Sequence, residues 1–256
     1  MEIHKEEKRV NDTLTRHLEQ KALYAMADRL PVKITPDHLT LAGIFGSILI
    51  LAGYILSNLH PAFLFLSSFG FIVNWFGDSL DGTVARRRKI QRPTYGFFVD
   101  HNIDAVSFLM VGLGLGFSPY MMMGTALYTV IGYFMLAIYS YINAYISKEF
   151  RISFGKIGPT EVRILVILAN TVMFFIGGRW SFLLFGIQWK ILDAAGIIVG
   201  SLFLMEFFIV FLKERIEVSR FDPAPVPPEQ SRHSRRKHRH RRHTLSLFSR
   251  LRYRDE

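Results

Sequence analysis

The chain has 256 residues, 50% of them hydrophobic and 14% aromatic, and a formal net charge of +10. That length suffices for one domain, and the composition favours a membrane protein over a soluble one. With no cysteine, disulfides, thiolate catalysis and zinc-thiolate sites are excluded.

The first segment, residues 1–38, is polar and charged for about 20 residues and shows no cleavable signal peptide. Leu14, Leu18, Ala22, Leu23, Ala25, Met26 and Leu30 fall at helical spacing among Arg16, Glu19, Gln20 and Lys21. This predicts an amphipathic helix over 14–30, lying on the cytoplasmic membrane face. The stretch ITPDHLT breaks it at Pro36 and starts the first span.

Six apolar runs follow, at 39–57, 61–77, 95–117, 121–146, 162–177 and 191–212. A span needs roughly 20 residues, because a helix rises about 1.5 Å per residue through about 30 Å of hydrocarbon. The second and fifth runs reach that length only by extending into their polar ends. Beyond the last run, DPAPVPPEQ reads as a Pro-rich linker, and SRHSRRKHRHRRHTLSLFSRLRYR as a disordered basic tail drawn to anionic headgroups.

Lys and Arg set the orientation. Seven lie up to Lys33, five in 86–92, four in 148–163 and thirteen beyond Leu212, whereas the opposite side holds only Arg179 and Lys190. Both termini are therefore expected in the cytoplasm. The net charge reflects topology and tail, and nucleic acid is not expected as a partner. The predicted fold is an all-α integral membrane protein with six transmembrane helices behind an interfacial helix, multi-pass in the cell (inner) membrane. It divides into an N-terminal segment at 1–38, a catalytic domain at 39–215 and the tail at 221–256.

Four carboxylates interrupt the apolar sequence. Asp78, Asp81, Gly82 and Ala85 are spaced i, i+3, i+4, i+7, and Gly96, Asp100 and Asp104 are spaced i, i+4, i+8, so each set shares one helical stripe. Two helices joined by the basic run Arg86-Arg87-Arg88-Lys89 can turn those stripes together. Four like charges in low dielectric must pair with Arg, take protons or hold divalent cations. Carboxylate oxygens without His or Cys suit Mg²⁺ or Mn²⁺, and four of them suit two ions per site. Two ions suggest phosphoryl chemistry. The small Gly82, Ala85 and Gly96 leave room for a ligand to lie against the stripes.

The stretch from Asp78 to Arg86, DSLDGTVAR, is followed nine residues later by Gly96 to Asp104, GFFVDHNID. It resembles the CDP-alcohol phosphotransferase signature D-x2-D-G-x2-A-R…G-x3-D-x3-D at all eight defining positions. The resemblance implies that an acceptor hydroxyl attacks the β-phosphorus of a CDP-linked donor and that CMP leaves. It implies that Asp78, Asp81 and Asp100 ligate metal, and that Asp104 ligates the second ion or takes the acceptor's proton. Gly82, Ala85 and Arg86 would line the CMP site, with Gly96 across the gap. A homodimer is the family's habit. Ala42, Gly43, Gly46 and Gly53 in the first span and Gly112, Gly114 and Gly116 in the third permit close helix packing.

The branch stays open. His101 and the stretch IGPTEVR are similar to the choline/ethanolamine branch, whereas the VSF after Asp104 is similar to phosphatidylserine synthases. His101 reads either as an interfacial histidine or as a group acting beside the metals. Thr160 and Glu161 read as an N-cap and first-turn acid or as a receiver of a cationic headgroup. Arg151, Lys156 and Arg163 read as loop charges or as a phosphate clamp. From another class, a divalent-cation transporter would also use carboxylates. Such sites lie near the midplane on broken helices, however, and these aspartates sit one to three turns from a basic loop.

Overall fold

The computed structural model describes residues 16–147, 158–177 and 180–222. The expected tail from residue 223 on, with Leu14, Arg151, Lys156 and Arg179, lies outside those residues. The elements are α1 (Arg16–Arg29), α2 (Pro36–Leu56), α3 (Phe63–Arg87), α4 (Pro93–Phe117), α5 (Met123–Ser147), α6 (Pro159–Phe175), β1 (Ser181–Leu184), β2 (Ile187–Lys190) and α7 (Asp193–Phe221). The chain divides into two compact units between Ile209 and Val210.

Among the described residues, five helices, α2, α3, α4, α5 and α7, are long and apolar enough to cross a membrane. Their outer faces carry Leu41, Phe45, Phe65, Phe69, Ile131 and Ile198, all exposed, as expected where lipid rather than water is the solvent. The expected fifth span is α6, whose 17 residues fall below that length. It nonetheless exposes Leu165, Leu168 and Val172 and packs on α3.

The α2–α3 pair is the rigid centre. Pro36 stands at the first turn of α2, and Thr35 caps it: its hydroxyl accepts from the His38 backbone N–H, and the His38 ring accepts from the Thr35 N–H. Gly43 and Gly46 on α2 meet Gly77 and Gly70 on α3, and Gly53 lies against Ser67. A Cβ on Gly46 would stand 2.3 Å from the Asn74 backbone nitrogen, and one on Gly77 would stand 2.3 Å from that of Gly43. Small residues let the two backbones touch. Gly46→Ala is therefore expected to destabilise by about 1–3 kcal/mol, read as a lower Tm in detergent. The contrast is Gly124→Ala, where nothing lies within 4 Å of the new Cβ, and whose Tm should hold or rise slightly.

Other elements add to this pair. Tyr54 donates its buried hydroxyl to Asn170 on α6 (3.0 Å), and Asn170 donates to Ser68 on α3 (3.2 Å). On α7, Gly196 and Gly200 fit under Thr125, Tyr128 and Thr129 of α5, and Thr129 donates to the Gly196 carbonyl (2.9 Å). The amphipathic α1 turns its apolar face to the bundle: Leu23 and Ala27 are buried with Leu39, Leu80 and Val84.

Asp193 ties the end of the bundle away from the α3–α4 loop. It is fully buried and accepts from the backbone N–H groups of Met122 (2.8 Å) and Lys190 (2.7 Å), while the Lys190 ammonium donates to the carbonyls of Ser118 and Met121. From this knot projects the β1–β2 hairpin, an addition to the helical fold that the sequence reading did not contain. Its turn, Phe185 and Gly186, has positive φ at both residues, the form that suits a two-residue hairpin. Trp180, Phe182 and Leu183 are exposed, and Phe185 at the tip is 92% exposed.

Candidate active site

Helix α3 runs unbroken through Asp78, Asp81, Gly82 and Ala85, and α4 through Asp100 and Asp104, so both expected stripes form. Carboxylate oxygens of Asp78, Asp100 and Asp104 lie within 4.8 Å of one another. A small cleft is lined by these three, Asp81, Thr40, Gly43, Asn74, Ile103 and Ser107. Asp81 is held to one side: its Oδ2 accepts from the Thr40 hydroxyl at 2.7 Å, and its Oδ1 accepts from the Gly82 N–H. The structure thus converges three of the four aspartates and places the fourth on the same wall.

Among the described residues, Arg163 pairs with the cluster at Asp78. Arg163, in the second turn of α6, donates to Asp78 Oδ2 at 2.7 Å, with both side chains largely covered. It was among the residues read as loop charges or a phosphate clamp; here it is the counter-ion of one carboxylate, Asp78. Oxygens on opposite sides of an ion with bonds of about 2.1–2.5 Å stand about 4–5 Å apart, so the observed spacing fits a hard divalent cation with an all-oxygen donor set.

The basic run divides its labour. Arg88 reaches four carbonyls of the α1–α2 loop, with its closest contacts to Ile34 (2.6 Å) and Leu30 (2.9 Å). Arg87 grips Asp28 of α1 through two nitrogens, and that hydrogen-bonded pairing holds the Asp28 carboxyl below its ordinary range. Arg86 is exposed, donates to Thr83 at 3.2 Å and lies over Gly82, where an added Cβ would meet its guanidinium at 3.2 Å. A side chain at Gly82 would displace it. Ala85 is half-buried on the same stripe, outside the cleft lining. Gly96 is exposed at the start of α4, with nothing within 4 Å of a Cβ built there.

His101 is buried beside the cleft and does not line it. Its Nδ1 lies 2.9 Å from the Phe97 carbonyl, which can only accept, so Nδ1 carries a proton. The ring stacks on Phe97 and meets Tyr141 of α5 edge-on. At α6 the cap residue is Gly158, whose N–H donates to Glu161 (2.9 Å); Glu161 is the first-turn acid as read. Thr160 is not the cap: it lies inside the helix and donates to Glu19 of α1 at 2.6 Å, on the oxygen that also accepts from Trp75. Thr40, Asn74 and Ser107 were not picked out as site residues from sequence. Asn74 had a signal, since it stands one turn before Asp78 on the same stripe.

The model of the family described as CDP-alcohol phosphatidyltransferase matches residues 33–205 of the chain, a stretch that contains the whole cleft. Among curated proteins, none matches the chain.

Proposed function

The chain belongs to the CDP-alcohol phosphatidyltransferase family, a family of transferases of substituted phosphate groups, and from that premise we propose that it moves a substituted phosphate from a CDP-alcohol to an acceptor hydroxyl in phospholipid synthesis, releasing CMP. The donor is CDP-diacylglycerol or a CDP-amino alcohol. The observation that carries the reading is the convergence of Asp78, Asp100 and Asp104 from two helices, with Asp81 on the same wall.

The step forms a bond between the acceptor oxygen and the β-phosphorus and breaks the bond from that phosphorus to the bridging oxygen, which leaves on CMP. Asp104, with Asp100 beside it on α4, takes the proton from the acceptor hydroxyl. Arg86 lies on the Gly82–Ala85 side and offers charged donors to the nucleotide phosphate. Asp78, Asp81, Asp100 and Asp104 would hold two Mg²⁺ or Mn²⁺ ions, which supply phosphate charge neutralisation and a more acidic acceptor hydroxyl.

The protein is a multi-pass integral membrane protein. The exposed apolar side chains of α6 support a sixth crossing, with both termini on one side, and the Lys/Arg bias supports the cytoplasmic side of the cell membrane for them and for the site. The working state is a homodimer. The deciding experiment offers the purified protein in nanodiscs CDP-diacylglycerol, CDP-choline and CDP-ethanolamine in turn, against a panel of alcohols, and measures CMP. Metal flux without nucleotide turnover would replace the enzyme by a cation transporter.

The tail at 221–256 is proposed to be dispensable for chemistry. Truncation after Phe221 should leave CMP release in detergent within a few-fold of the full chain and weaken binding to anionic vesicles, most at low salt, since each basic residue contributes about 1 kcal/mol at such a surface. A folded but inactive truncation in detergent would place the tail in the site.

A further inference from the structure

We propose that the floor of the cleft, formed by Asn74 and Ser107, is a subsite for one neutral, non-reacting hydroxyl of the bound substrate; the proposal rests on the phosphotransfer reading above. Asn74 is only 7% exposed and lines the cleft one helical turn before Asp78. Its amide orientation follows from its neighbours. The Gly43 carbonyl can only accept, so the atom 3.1 Å from it is the NH₂ group, and the second N–H goes to the Ser47 hydroxyl at 3.1 Å. Both donors are used. The amide oxygen has no hydrogen-bond partner among the described residues. Nor is it sealed in, because the Tyr120 hydroxyl is the one closed-off side-chain polar atom there without a partner. The Asn74 oxygen therefore opens onto the cleft.

Ser107 supplies the complement. It stands on α4 one turn beyond Asp104 and lines the same cleft. Ser47 has one proton, and its shorter bond, 2.8 Å, runs to the Ser107 oxygen rather than to the Gly43 carbonyl at 3.3 Å. The Ser107 proton then has no acceptor among the described residues. The floor offers one fixed acceptor and one donor, joined through Ser47. A hydroxyl uses both at once. A cation would leave the donor idle, an anion would leave the acceptor idle, and a methyl group would leave both unpaired. An amide oxygen is too weak a base to take a proton, so the hydroxyl at Asn74 is distinct from the one that yields its proton to Asp104. The ligand therefore carries a spare hydroxyl, as a polyol acceptor does and as the ribose of a cytidine nucleotide does.

The test uses the full chain in nanodiscs with Mg²⁺ and separates the two sources. Calorimetry compares CMP with its 2′-deoxy and 3′-deoxy forms. Binding and turnover compare a glycerol-type acceptor with its analogue lacking the spare hydroxyl. Each comparison is repeated in Ser107→Ala and Asn74→Ala. In the unmodified protein, removing the hydroxyl from one source is expected to weaken binding about tenfold, and that penalty should vanish in Ser107→Ala. A penalty from neither source, or one undiminished in the variants, overturns the subsite. Ser107 makes a single side-chain bond, so its variant carries the test should Asn74→Ala fail to fold. Absence of CMP release from every substrate pair would instead overturn the phosphotransfer reading, while the binding comparisons still decide whether the floor takes a hydroxyl.

Discussion

Replacing Asp104 by Asn is expected to lower CMP release at least about a hundredfold, and Asp100→Asn should do the same. Removing a metal ligand or a general base has effects of that size. Neither variant should unfold, because each removes one of several carboxylates packed within 4.8 Å of one another and so relieves repulsion in the ion-free protein. Asp78→Asn should behave differently. Asp78 is the partner of Arg163, and both side chains are largely covered. Its neutralisation strips a part-buried guanidinium of its counter-ion, so a lower Tm should accompany the lost turnover. Near-full activity in Asp100→Asn or Asp104→Asn would refute the assigned roles, and an unchanged Tm in Asp78→Asn would show that the ion pair contributes nothing to the fold.

Chelation is expected to abolish turnover completely and reversibly. The donor set is all oxygen, and an all-carboxylate set calls for a hard divalent ion. Excess EDTA should therefore stop CMP release, and Mg²⁺ or Mn²⁺ should restore it. The fold should survive the treatment, because Arg163 holds Asp78 and Thr40 holds Asp81 without an ion. Circular dichroism before and after chelation checks this. Full turnover in excess chelator would eliminate the metal site.

The site was legible where local periodicity decides it. Once residues 63–87 and 93–117 are helical, the spacing of Asp78, Asp81, Asp100 and Asp104 forces two stripes, and a short connection brings them together. Partners at long range were not legible. Nothing near Arg163 announces that it will meet a carboxylate 85 residues earlier, nor does the basic run show that Arg87 and Arg88 will turn back to α1 and its loop. Small residues were foreseen on α2 and α4, but Gly70 and Gly77 of α3, which face α2, and Gly196 and Gly200 of α7, which face α5, emerge only when the facing helix is known. The hairpin escaped because its first strand, SFLL, lacks polar–apolar alternation and its second, IQWK, alternates over only four residues, and because Phe185 takes the left-handed turn position that Asn or Gly would have advertised.

The short α6 bears on how lipid meets the cleft. At about 1.5 Å per residue, its 17 residues span roughly 26 Å, some 4 Å less than the hydrocarbon of an average bilayer. On the six-span reading, the membrane must thin locally along this one wall while standing at full depth along its neighbours. The exposed Trp180, Phe182 and Phe185 of the hairpin that follows α6 extend its apolar surface on the far leaflet. The dip is thereby left to the near leaflet, where Arg163 holds Asp78. On that reading lipid headgroups would sink toward the carboxylates at that point. A lipid-borne diphosphate could then reach the cleft sideways from the bilayer, without its acyl chains leaving the hydrocarbon.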